Sequence, residues 1–70
     1  MNIRFNGEEQ SIDAGMTLKD FLMQGMGLDE QVLGRSVVAI NQTLLPKSEI
    51  EHYELKDSDD VELLTAVVGG

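Results

Sequence analysis

The chain of 70 residues closes on Val68-Gly69-Gly70, and its chemistry concentrates at that end. Glycine averages about 7% of residues, so a terminal pair arises by chance in roughly one chain in two hundred. Without Cβ atoms, Gly69 and Gly70 can lie extended in a narrow channel and present a carboxylate with no side chain beside its carbon. A carboxylate resists nucleophiles, because its charge repels them and oxide leaves poorly. Converting it to an acyl-adenylate with ATP removes both obstacles by dividing one hard step into two easier ones.

No nucleotide site is legible in the chain, so a partner enzyme must supply that activation. Gly25-Met26-Gly27 begins like a phosphate-binding turn, but Glu30 stands where a third glycine belongs and no strand leads into it. Asp57, Asp59 and Asp60 lack the central glycine and the distal glutamate of a calcium loop, and read as a solvated turn. His52 is the only histidine and there is no cysteine, so no metal site is expected. Ser11, Ser36, Ser48 and Ser58 have no base in sequence context. No catalytic residue is assigned, and the expected role is that of a carrier with no bound cofactor, not an enzyme.

Net charge is −8, from thirteen acidic and five basic residues, and such a field repels phosphate backbones. Nucleic acid is therefore not an expected partner. The longest apolar run, Val37 to Ile40, is far shorter than the roughly 18 residues of a membrane span. Met1 to Gly7 lacks the apolar core of a signal peptide, so the expected location is cytoplasmic and away from membranes.

The elements that must hold the tail follow from periodicity. Met1, Ile3 and Phe5 alternate with Asn2, Arg4 and Asn6 in the pattern of a half-buried strand, and Asn6-Gly7 suits the positive φ angles of a type I′ hairpin turn. A second strand is expected over about Gln10 to Asp13, with Ile12 facing the core. Thr17 can cap a helix by accepting from the backbone N–H near Asp20. Leu18, Phe21, Leu22 and Gly25 make one stripe, with the helix ending near Gln24-Gly25 and an irregular stretch over Met26 to Gly34.

Ser36 to Ile40 reads as a central strand buried on both faces, parallel to the first through a right-handed crossover. Thr43 to Leu45 makes a short strand before Pro46, and Ile50 to Leu55 pairs briefly. The last strand is expected over Val61 to Val68, with Val61, Leu63, Thr65 and Val67 on one face. The fold class is α+β, a β-grasp: a mixed sheet packed on one main helix. Residues 1–68 form this domain and 69–70 a flexible tail.

The segments Val38-Ala39-Ile40-Asn41-Gln42, Leu45-Pro46-Lys47, Leu55-Lys56-Asp57, Val61-Glu62-Leu63-Leu64 and Val68-Gly69-Gly70 together resemble the sulfur carrier proteins of thiamine biosynthesis, a ubiquitin-like β-grasp family. Phe5-Asn6-Gly7 and Thr17-Leu18 fit the same family. The resemblance implies that Gly70 is adenylated by a ubiquitin-activating-like adenylyltransferase, which uses ATP. A sulfur donor protein would then supply the sulfur of a thiocarboxylate that serves thiazole synthase. By the same analogy Gly69 is the slim stalk, and Leu64, Ala66 and Val68 dock on the partners. The alternative to docking is a last strand buried on both faces. Ile50, where relatives often carry tryptophan, and Ser58, where glycine is usual, leave open a sister pathway, such as that of the small subunit of molybdopterin synthase or a carrier serving another sulfur-containing product. A separate alternative is a ubiquitin-like protein modifier, in which the activated Gly70 joins a lysine of another protein.

Overall fold

In the computed structural model, residues 1–66 are described. Five strands form one sheet: β1 (Asn2–Phe5), β2 (Glu8–Ser11), β3 (Ser36–Ile40), β4 (Thr43–Leu45) and β5 (Asp60–Thr65), in the order β2-β1-β5-β3-β4. One face of the sheet carries the helical segments. α1 (Leu18–Asp20) continues without a break into a π-helical turn over Phe21–Gly25, and α2 (Glu30–Gly34) and α3 (Lys47–Ile50) follow. This is the mixed-sheet, α+β architecture expected from the sequence.

The hairpin forms where the Asn-Gly pair requires it. Asn6 and Gly7 take φ of 49° and 85°, and Phe5 pairs directly with Glu8. A two-residue turn hands the chain straight to its partner strand, which is why β2 starts at Glu8 and not at Gln10. Ile12 follows β2, partly buried against the core, and exchanges hydrogen bonds of 2.8 Å with Met1.

β3 is not parallel to β1. It pairs antiparallel with β5, and β5 pairs parallel with β1, so β5 is the middle strand. The helical crossover leaves from β2, which runs opposite to β1, and returns the chain in the direction of the strand it left. β2 and β3 are therefore the strands the crossover relates. Nor is β3 buried on both faces: Ser36, Val38 and Ile40 point inward, while Val37 is 49% exposed. A single layer of helices covers only one face, so alternation survives even in a β-branched run.

Thr17 caps the main helix as expected, accepting from the Asp20 N–H at 3.1 Å. Leu18, Phe21 and Leu22 are buried and join Ile3, Val38, Ile40, Ile50, Leu55 and Val61 in the core. Phe5 meets Phe21 edge to face at 5.4 Å between ring centres. Gly25 lies against the Phe21 ring, where a Cβ would sit 3.2 Å from Cδ1. The stretch after Met26 is not wholly irregular. Asp29 Oδ1 accepts from the Val32 N–H at 2.8 Å and caps α2, a signal masked by Gly27 before the helix and Gly34 as its last residue.

After β4, Pro46 starts α3 in place of an extended segment, so Ile50 reaches the core from a helix. Of the region expected to pair, only Glu54 does, opposite Thr17. Lys19 ties the three helices together at the surface, 3.1 Å from Glu51 and 3.6 Å from Glu30.

Candidate functional site

β5 carries the chain toward its C-terminal glycines, so the site is built from that strand outward. Toward the helices, Val61 is fully buried and Leu63 and Thr65 are half-buried. Away from the helices, Leu64 is 72% exposed and Ala66 is exposed. The last strand is thus one-sided over its described length, ending at Thr65. Val67, Val68, Gly69 and Gly70, which include the expected stalk, reactive end and one docking residue, lie outside the described residues.

Three polar arrangements fix β5 in place. At its start, buried Asp59 accepts from the Tyr53 hydroxyl at 2.9 Å, the Lys56 N–H at 2.9 Å and the Asn41 side-chain amide at 3.1 Å. Asn41 Oδ1 in turn accepts from the Asp60 N–H at 2.9 Å. Asp59 was expected in a solvated turn. It turns inward because the chain reverses over Asp57-Ser58, with Ser58 at φ 70°, leaving this carboxylate beneath the sheet with three donors. Burial, and then the neighbouring Asp59 carboxylate, push the Tyr53 phenol up to about 12.

In the middle of β5, Asn6 acts as one more residue of β1. Its Oδ1 accepts from the Leu63 N–H at 2.8 Å and its Nδ2 donates to the Leu63 carbonyl at 3.5 Å. At the far end, the Thr65 hydroxyl lies 2.8 Å from that of Ser36, which donates to the Val32 carbonyl at 2.6 Å. The Ala66 N–H donates to the Arg35 carbonyl at 2.9 Å. These bonds hold β5 against the end of α2.

The outer face of the sheet gathers apolar side chains that the sequence reading did not join to Leu64 and Ala66. Val37 is the cross-strand partner of Leu64, and Ala39 that of Leu44, itself 70% exposed. Val37, Ala39, Leu44 and Leu64 line a shallow depression of about 300 Å³ bordered by Asn6 and Glu62. Among the described residues, all three large exposed apolar side chains lie on this face. The signal for Val37 was its alternation with Ser36 and Val38, overridden by the unbroken apolar run. For Leu44 it was the pairing of a three-residue strand, which only the register reveals. No cluster of three or more potential metal ligands occurs among the described residues. None of their helices is long and apolar enough to cross a membrane.

A family model described as the ThiS family matches residues 3–70, nearly the whole chain and including Gly69 and Gly70. The chain belongs to the ThiS family. The chain is 31% identical to the sulfur carrier protein ThiS of Escherichia coli (strain K12) over 70 residues, 100% of both chains. The fold matches the crystal structure of a thiamine biosynthesis protein (ThiS) of Geobacter metallireducens with a TM-score of 0.77 at 24% identity, covering 100% of both chains. The solution structure of a thiamine biosynthesis protein of the same organism matches with a TM-score of 0.73 at 24% identity, covering 100% of this chain and 88% of that one. These matches agree with the β-grasp assignment of the ThiS-family chain and with the resemblance found in its sequence.

Proposed function

We propose that this ThiS-family chain is a sulfur carrier, a co-substrate of other enzymes, with its working group at the Gly70 carboxylate. The observation that carries the reading is the family match running through Gly70, in a chain whose last described strand has an exposed apolar face. A ubiquitin-activating-like adenylyltransferase binds that face and draws residues 69–70 into its nucleotide site. A carboxylate oxygen of Gly70 attacks the α-phosphorus of ATP, and pyrophosphate leaves. Sulfide, delivered by a donor protein, then attacks the acyl carbon, AMP leaves, and the thioacid loses its proton to solvent. The resulting thiocarboxylate is the sulfur source for a thiazole synthase in thiamine biosynthesis.

The chain's own contribution is positional. Gly69 offers the adenylating enzyme a stalk with no side chain, and Leu64, Ala66 and Val68 supply the docking strip, widened by Val37 and Leu44. The three polar anchors of β5 fix Leu64 and Ala66, the described part of that strip, in the sheet. Burying exposed apolar side chains beside the tail gives the complex its driving force.

Pyrophosphate release on mixing the chain with ATP and the activating enzyme of its own host tests the first step. Release is expected with the whole chain and not with a form lacking Gly70, while both forms show the same thermal unfolding. Equal release from the two forms would overturn the assignment of Gly70.

A further inference from the structure

We infer that Asn6 is a site of spontaneous amide-to-acid conversion, and that the product weakens the clamp on the tail-bearing strand. The chain has three asparagines: Asn2 before Ile3, Asn41 before Gln42, and Asn6 before Gly7. In this reaction the backbone nitrogen of the following residue attacks the side-chain carbonyl carbon, so a bulky side chain on that residue obstructs the approach. Gly7 presents no such obstacle, with no heavy atom within 4 Å of where a Cβ would stand. Both residues of the turn are exposed, and among the described residues no hydrogen bond occupies the Gly7 N–H.

The electrophile is also prepared. The Leu63 N–H donates to Asn6 Oδ1 at 2.8 Å, which draws electrons from Cγ and stabilises the oxyanion formed there. The leaving nitrogen, Nδ2, is held only by the long 3.5 Å contact to the Leu63 carbonyl. The bond from Gly7 N to Asn6 Cγ forms, the Gly7 N–H proton passes to solvent, and the Cγ–Nδ2 bond breaks as ammonia takes up a proton and leaves. Water then opens the cyclic imide at either carbonyl, giving aspartate or its β-linked isomer.

Either product disturbs the arrangement that makes Asn6 an extra rung of the sheet, aspartate at its longer, 3.5 Å contact. A carboxylate has no hydrogen to donate, so its second oxygen would face the Leu63 carbonyl oxygen, acceptor against acceptor. In the β-linked isomer the side-chain carbon also enters the backbone, lengthening a turn that allows two residues only. Leu63 is the neighbour of Leu64, so the loss falls on the strand of the proposed docking face.

Peptide mapping of the intact, folded chain during incubation at mildly alkaline pH tests the modification independently of the carrier reading. The mass gain of an amide-to-acid change is expected at Asn6 well before Asn2 or Asn41, with a β-aspartyl fraction at Asn6. Equal or faster conversion at either other asparagine overturns the site. For the consequence, Asn6→Asp is compared with Asn6→Ser, which keeps a small polar turn residue without the charge. Hydrogen exchange at Leu63 is expected to quicken at least several-fold in Asn6→Asp relative to the unmodified chain, and further in Asn6→Ser, which loses the Oδ1 acceptor as well. Unchanged exchange in Asn6→Asp would overturn the clamp. Because exchange is read on the free chain, that outcome leaves the carrier function untouched, whereas a chain that never releases pyrophosphate leaves the clamp untouched.

Discussion

At the scale of single residues, the account rests on a few polar side chains that fix a strand. Tyr53 is the only tyrosine, so its phenolate absorbance can be followed directly, with a midpoint expected near 12, above the ordinary value of 10.0. The folded state favours the neutral phenol. Its contribution to stability is therefore complete below pH 10 and is lost as pH rises through 12. A titration midpoint at the ordinary value would contradict the partly buried hydrogen bond to Asp59. Tyr53→Phe should flatten that alkaline slope and cost about 1 to 3 kcal/mol near neutral pH, because a buried carboxylate loses one of its donors. Ser58 adopts φ 70°, a left-handed conformation that costs a non-glycine residue about 1–2 kcal/mol. Ser58→Gly should therefore raise the melting temperature by a few degrees, after allowing for the entropy glycine loses on folding. The sequence, through its family resemblance, implies glycine as the usual residue at position 58, and the backbone explains why glycine fits there. It does not show that Asp59 points inward. Three of its donors come from residues 41, 53 and 56, which only the folded chain brings together.

At the scale of elements, periodicity and capping located β1, the Asn6-Gly7 turn, the Thr17 cap and the core stripe of Leu18, Phe21 and Leu22. Phe21 is 2% exposed and packs on Phe5, so Phe21→Ala should cost about 3–5 kcal/mol, enough to unfold much of a population this small in size. Chemical denaturation measures it, and a loss below about 1 kcal/mol would mean that the ring is not a core element. Asp29→Ala should cost about 1 kcal/mol by removing the cap of α2. That second helix was hidden because its five residues include Gly34, follow Gly27 closely and span little more than one turn. Strand direction was hidden for a different reason. The crossover sets β3 relative to the strand before it, and β5 enters the sheet between β1 and β3 from far along the sequence, which no local pattern encodes.

At the scale of the whole molecule, one face of the sheet is packed by helices and the other exposes Val37, Leu44 and Leu64 beside the strand that leads to the C-terminal glycines. Leu64→Glu should leave stability within about 0.5 kcal/mol, because the side chain is 72% exposed. It should weaken association with the activating enzyme by about 2 kcal/mol or more if Leu64 is an anchor of the contact. Calorimetry of the variant with that enzyme separates the two effects, and unchanged affinity would remove Leu64 from the docking face. The terminal glycines and the outward set of β5 were legible in the sequence, but the joining of Leu44 and Val37 to them required the register of three strands. The central claim is that sulfur is loaded on Gly70. The most direct test is the intact mass of the chain after incubation with ATP, a sulfide source and the host's activating enzyme. A rise by the difference between sulfur and oxygen, absent from a form lacking Gly70, is the predicted result. An unchanged mass, with an enzyme shown to load another carrier, would contradict it.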